Sequence, residues 1–170
     1  KDLLLRREQL PGSPLDDADV DDWEPTRLPL PGVRYEEDLV GNLARQDGCV
    51  GAFKVEGPRG TEQGDDSSAV VYVMNAVYQF ETPSQASREH EVLLARMARE
   101  APAPLETLYD GAAEGGMGAR AVRFVGSEGD AVYWLFGVKE EYVHLLMVNG
   151  VDDDATRAFF EATMAQVLTR

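Results

Sequence analysis

The feature that most constrains this fold is a change of hydrophobic period within one stretch, VVYVMNAVYQFETPSQASREHEVLLARM, Val70–Met97. Up to Phe80 the period is two. Val70, Tyr72, Met74, Ala76, Tyr78 and Phe80 fall on one side, with Asn75 and Gln79 on the other. The alternation predicts a strand over Ala69–Phe80, one face buried and the other partly wet. After Thr82 the period becomes helical. Thr82-Pro83-Ser84-Gln85 has the form of a capping box, with Thr at the N-cap, Pro at the first helical position and Gln at the third. The helix should run to about Glu100, where Ala101-Pro102-Ala103-Pro104 ends it. Its apolar stripe is Ala86, Leu93, Leu94 and Met97, and His90 lies on the same stripe.

The rest of the chain is read around that corner. Tyr35–Gln46 reads as a short amphipathic helix with Leu39, Val40 and Leu43 apolar. CVGAFKVEG, from Cys49, reads as a strand, and Gly57–Ser68 as a turn-rich loop. Asp110–Gly118 reads as a Gly-rich flexible connector. Three strands follow, Ala119–Val125, Ala131–Val138 and Tyr142–Val148, with links short enough for antiparallel hairpins. Asn149-Gly150 is expected to turn the chain. Asp152 or Asp153 then caps a helix over Ala155–Leu168, with Phe159, Phe160, Met164, Val167 and Leu168 inward. The order strand, strand, helix, three strands, helix argues for an α+β fold: a twisted antiparallel sheet backed by two main helices.

Residues 1–34 differ in composition. Asp and Pro crowd them, and they read as an extended acidic arm on a single domain of residues 35–170. The arm still carries Leu3, Leu4, Leu5, Trp23, Leu28 and Leu30. Burying one such side chain is worth about 1.5–3 kcal/mol, so these residues are expected to dock on the less apolar sheet face or on a partner. Beginning at Lys1 rather than Met, the sequence is expected to be a trimmed or processed chain.

Charge narrows the function classes. A formal net charge of −15 over 170 residues repels nucleic acid and anionic lipid headgroups. It leaves basic protein partners and cations. No run approaches the ~18 apolar residues of a membrane span.

The chemistry-bearing residues do not assemble into a known pattern. Asp17, Asp19 and Asp21 have the alternate spacing that opens an EF-hand loop, but Asp22 stands where the turn needs Gly and Leu28 where the ion needs Glu. One cysteine and two histidines give no zinc spacing, and Cys49 can form no internal disulfide. GAAEGGMGAR follows no strand and opens no helix, as a dinucleotide fingerprint would. His90 on an apolar stripe is read as a satisfied core residue. No catalytic, metal or cofactor residue is assigned, and no cofactor is expected. What remains is aromatic. Tyr72, Tyr78, Phe80, Phe124, Tyr133, Trp134, Phe136 and Tyr142 all fall on predicted strands. Trp23, Leu28, Leu30, Tyr133 and Trp134 are the candidate partner or ligand surface.

LLLRREQLPG resembles the leucine-leucine, leucine-proline-glycine opening of extracytoplasmic lipoproteins and sensor-like domains of the actinobacterial type. The order of GCVGAFKV, AVVYVMNAVYQF, TPSQASREHEVLLARM, ARAVRFVG, AVYWLFGV, YVHLLMV and DDATRAFFEATMAQVL also resembles the Mog1/PsbP-like fold. The resemblance implies a non-enzymatic accessory domain outside the cytoplasm, lipoprotein-derived and anchored through a removed N-terminus, that binds a protein partner or a membrane complex. The alternative it leaves open is a small apolar-ligand binder with a cavity between sheet and helices.

Overall fold

The computed structural model describes residues 3–6, 9–10, 23–28, 39–57, 70–101, 105–126 and 129–170. In chain order its elements are β1 (Thr26–Leu28), α1 (Leu39–Leu43), β2 (Cys49–Gly57), β3 (Val70–Phe80), α2 (Pro83–Glu100), β4 (Glu106–Ala112), β5 (Gly118–Val125), β6 (Asp130–Lys139), β7 (Tyr142–Val151) and α3 (Asp154–Leu168). The strands form one sheet of order β1-β2-β3-β7-β6-β5-β4. Every pairing is antiparallel. The fold is α+β, as the element order implies.

The topology has one long step. β3 lies mid-sheet, and α2 carries the chain from it across one face to the far edge, where β4 begins. A meander of β4, β5, β6 and β7 then walks back until β7 pairs with β3. The corner that launches α2 is built as its sequence requires. Thr82 is the N-cap, extended at φ −142°, and its hydroxyl oxygen accepts from the Gln85 N–H at 3.3 Å. Its own hydroxyl donates to Gln85 Oε1 at 2.9 Å. Gly48 supports the corner from below. Its carbonyl accepts from the Glu81 N–H at 2.8 Å. It sits at φ +84°, and a β-carbon there would lie 2.3 Å from Gln85 Nε2.

Both faces of the sheet are covered, which corrects the expectation of a partly wet face. On one side Met74, Ala76, Tyr78 and Phe80 of β3 pack with Ala86 and Leu93 of α2 and Val40 and Leu43 of α1. On the other, Val73, Tyr133, Leu135, Leu146 and Val148 pack against Phe159, Phe160 and Val167 of α3. Strand periodicity cannot reveal this, because a strand buried on both sides reads as a continuous apolar run. Of the polar odd positions in β3, Gln79 is exposed and Asn75 is fully buried. α3 starts at an N-cap Asp153 whose Oδ1 accepts from the Thr156 N–H at 2.7 Å. Its buried Thr163 donates its hydroxyl to Phe159 O at 2.7 Å, so that this hydroxyl is not stranded against the sheet.

Two further expectations are corrected. Asp110–Gly118 is not a flexible connector. Its first part belongs to edge strand β4, and residues 113–117 close a tight β4–β5 hairpin with Ala113 N–H donating to Met117 O at 2.8 Å and Gly116 at φ +81°. Glycines and acids hid β4, because an edge strand needs little apolar surface. Asn149-Gly150 does not turn the chain either. Both residues lie inside β7, paired to Val132 and Ala131. The register of the neighbouring strand overrode the local turn preference. The Gly57–Ser68 loop lies outside the described residues beyond Gly57.

Candidate functional site

The even-numbered residues of β6 face α2. Trp134 stacks on Phe136 there, ring centroids 5.5 Å apart. α2 ends at Glu100 before it covers the indole fully, and Trp134 keeps 8% of its surface exposed. The result is a groove of about 170 Å³ between helix ends and sheet, lined by Leu39, Met97, Ala101, Phe124 and Trp134. Its polar rim is Arg96 and Glu100. Arg96 Nε donates to Glu100 Oε2 at 2.7 Å, and Arg99 donates to Glu100 Oε1 at 3.2 Å. These two bonds hold the Glu100 carboxyl below the usual carboxylate range. The floor is apolar and aromatic, and the rim is a charge-neutralised ion pair.

The other surface candidates lie elsewhere. Tyr133 points to the opposite face, stacked on Phe160 at 5.1 Å, with the Arg123 guanidinium 5.9 Å from its ring. Leu28 is 3% exposed and belongs to the core on the α2 side. Trp23 packs against the α3-side clusters, and its indole N–H donates to Leu5 O at 3.0 Å. Leu30, like Asp17, Asp19 and Asp21, lies outside the described residues. Of the four described residues among them, only Trp134 lines the groove. Leu39 and Met97 read in the sequence as ordinary stripe residues. What gives them a surface is the point at which α2 stops, set by the Pro102-Ala103-Pro104 run. That signal was legible.

The cysteine and both histidines are buried or half-buried, and His144 Nδ1 is buried without a hydrogen-bond partner among the described residues. His90 Nε2 lies 3.3 Å from Phe136 O, and burial pushes its pKa down. The Cys49 thiol donates to Gly51 O at 3.7 Å, and burial raises its pKa, so it stays a thiol. His144 is 1% exposed. Burial, with Arg170 and Lys139 adding to it, lowers its pKa to about 4. At neutral pH its ring is therefore uncharged. Among the described residues no group of three His, Cys, Asp or Glu is arranged to hold a metal ion. No described helix is long and apolar enough to cross a membrane.

A further arrangement, whose polar partners the sequence does not reveal, holds the N-terminal leucines. Leu4 and Leu5 are 3% and 2% exposed on the α3 side. Asn75 Oδ1 accepts from the Leu5 N–H at 2.8 Å, and Arg170 Nη1 donates to Leu4 O at 2.8 Å. Docking of these leucines on the less apolar face matches what their hydrophobicity demands.

No protein-family model matches the chain, and no curated protein matches it. Among solved structures it is similar to the extracellular domain of PknH from Mycobacterium tuberculosis, at 13% identity over 76% of this chain and 70% of that one, with a TM-score of 0.45. It is also similar to PA94 of Pseudomonas aeruginosa, a protein of unknown function, at 12% identity over 74% of this chain and 83% of that one, with a TM-score of 0.40.

Proposed function

We propose that this domain is a non-catalytic protein-interaction module and that the Trp134 groove receives one apolar side chain of a basic partner. The observation that carries the reading is the groove itself: Trp134, Phe124, Met97 and Leu39 beneath the Arg96–Glu100 pair. Aromatic residues, Met and Arg are the types enriched where interfaces concentrate their energy, and a polar rim around an apolar centre excludes water. Size separates this reading from the small-ligand alternative. A drug-sized ligand needs roughly 300–1,000 Å³. At about 170 Å³ the groove suits a single side chain. The charge of −15 favours a partner with a basic surface, through faster encounter more than through contact energy.

The non-catalytic part of the proposal rests on residue chemistry. The lone cysteine is a half-buried thiol whose pKa is raised, and burial lowers the pKa of both histidines, so among the described residues these groups form no activated nucleophile–base pair. The extracytoplasmic setting, the lipoprotein origin and a Mog1/PsbP-like fold rest on the sequence resemblance alone. Fractionation of cells expressing the whole gene tests the setting, and a cytoplasmic product would end it.

Peptide display on the immobilised full chain tests the groove. The expected winners carry one large apolar residue flanked by Lys or Arg. Their binding should be lost on Ala101→Trp, which fills the groove from its rim. Winners that bind this variant equally well would overturn the proposal.

A further inference from the structure

The chain has five methionines, and the fold treats them differently. Met74 and Met117 are 3% and 0% exposed, each sealed in the core on its own side of the sheet. Met97, Met147 and Met164 are half-buried. Of these three, Met97 alone lines the Trp134 groove. Met147 pairs with Trp134 across β7 and β6 but is not among the lining residues, and Met164 packs on the α3 side. Met97 lies in the last turn of α2, where its carbonyl accepts the Ala101 N–H at 3.0 Å and the helix ends. α2 has no further turn to cover the side chain. A thioether therefore forms part of the groove wall, beside the Trp134 indole and the Phe124 ring. A thioether is apolar only while it is reduced.

Resting on the reading of the groove as a docking site, we propose that Met97 is its redox switch: oxidation of the thioether to the sulfoxide by a peroxide closes the groove to apolar side chains, and reduction reopens it. The sulfur lone pair attacks one peroxide oxygen. The O–O bond breaks as the S–O bond forms. The proton on the transferred oxygen passes to the leaving oxygen, which departs as water. The sulfur is oxidised by two electrons and the peroxide is reduced by two. The product carries a strong acceptor oxygen on what was an apolar wall. An apolar side chain seated against that oxygen strips it of water, which costs free energy unless a donor takes the water's place. The oxygen also takes room in a groove of about 170 Å³. The reverse holds on steric grounds. A seated side chain covers the thioether and slows its oxidation.

The test treats the full chain with hydrogen peroxide, locates sulfoxides by peptide mass spectrometry, and titrates N-acetyl-phenylalaninamide before and after. Met97 should oxidise well ahead of Met74 and Met117, and saturating probe should slow it. The oxidised chain should bind the probe at least about tenfold more weakly. Methionine sulfoxide reductases, one for each sulfoxide epimer, should restore the affinity. In Met97→Leu, peroxide should leave the affinity wherever that variant started. An untreated parent that does not bind the probe ends the docking reading and the switch with it. A parent that binds equally well with Met97 oxidised overturns the switch alone. So does oxidation of Met97 no faster than of Met74, or an equal loss of affinity in peroxide-treated Met97→Leu. If Met97→Leu does not bind the probe, the reductase time course decides. Recovery that tracks loss of the Met97 sulfoxide sustains the switch, and recovery that tracks Met147 or Met164 overturns it.

Discussion

The side-chain Oδ1 of Asn75 accepts the backbone N–H of Leu5 at 2.8 Å across a separation of 70 residues, in a site where Asn75 has no exposed surface. The amide serves two buried backbone groups at once, Leu5 N–H and Leu145 O. Asn75→Ala should strand both, and each stranded group costs about 1–3 kcal/mol. A urea midpoint lower by an amount worth about 2–4 kcal/mol is expected. An unchanged midpoint would mean the arm does not rest on this residue.

The corner between β3 and α2 makes a smaller, local prediction. Thr82→Ala removes the acceptor for the Gln85 N–H and should cost about 1 kcal/mol. Gly48→Ala, at a positive φ and against Gln85, should cost about 1–2 kcal/mol from the left-handed backbone alone. Denaturation midpoints of the two single variants check both, and two neutral substitutions would leave the corner without its stated cause.

Acid should weaken the fold through His144. Its ordinary value is 6.5 and the folded protein lowers it to about 4, so the folded state prefers the neutral ring. The unfolded chain therefore binds more protons between these values, and stability falls as pH drops from about 6.5 to 4. The gap is worth about 3 kcal/mol when fully traversed. His90 is shifted in the same direction by burial and adds to the effect. Unfolding free energy measured from pH 7 to pH 4 should decline, and His144→Gln should flatten the decline. An equal slope in parent and variant would assign the acid sensitivity elsewhere.

How much of this was legible follows from where each feature gets its cause. The N-cap at Thr82, the end of α2 before Pro102 and the hairpin after Lys139 are set by neighbours in sequence, and the sequence states them. The burial of Asn75, the pairing of β4 and the extended course of Asn149-Gly150 are set by partners far along the chain. An asparagine on a strand reads as a wet-face residue until the leucines that cover it are in view. Trp134 was legible as an aromatic on a strand. Its groove was not, because the opening depends on how the start of α1, the end of α2 and β5 meet around it.

The groove at Trp134 carries the functional reading, and its direct test is a titration of the isotope-labelled chain with N-acetyl-phenylalaninamide followed by amide and indole chemical shifts. The groove accommodates one such side chain. Saturable shifts should therefore concentrate at Leu39, Met97, Ala101, Phe124 and the Trp134 indole N–H, and vanish in Ala101→Trp. Shifts spread over the surface without saturation, or persisting in the filled variant, would contradict the claim that this groove is built to receive a partner's side chain.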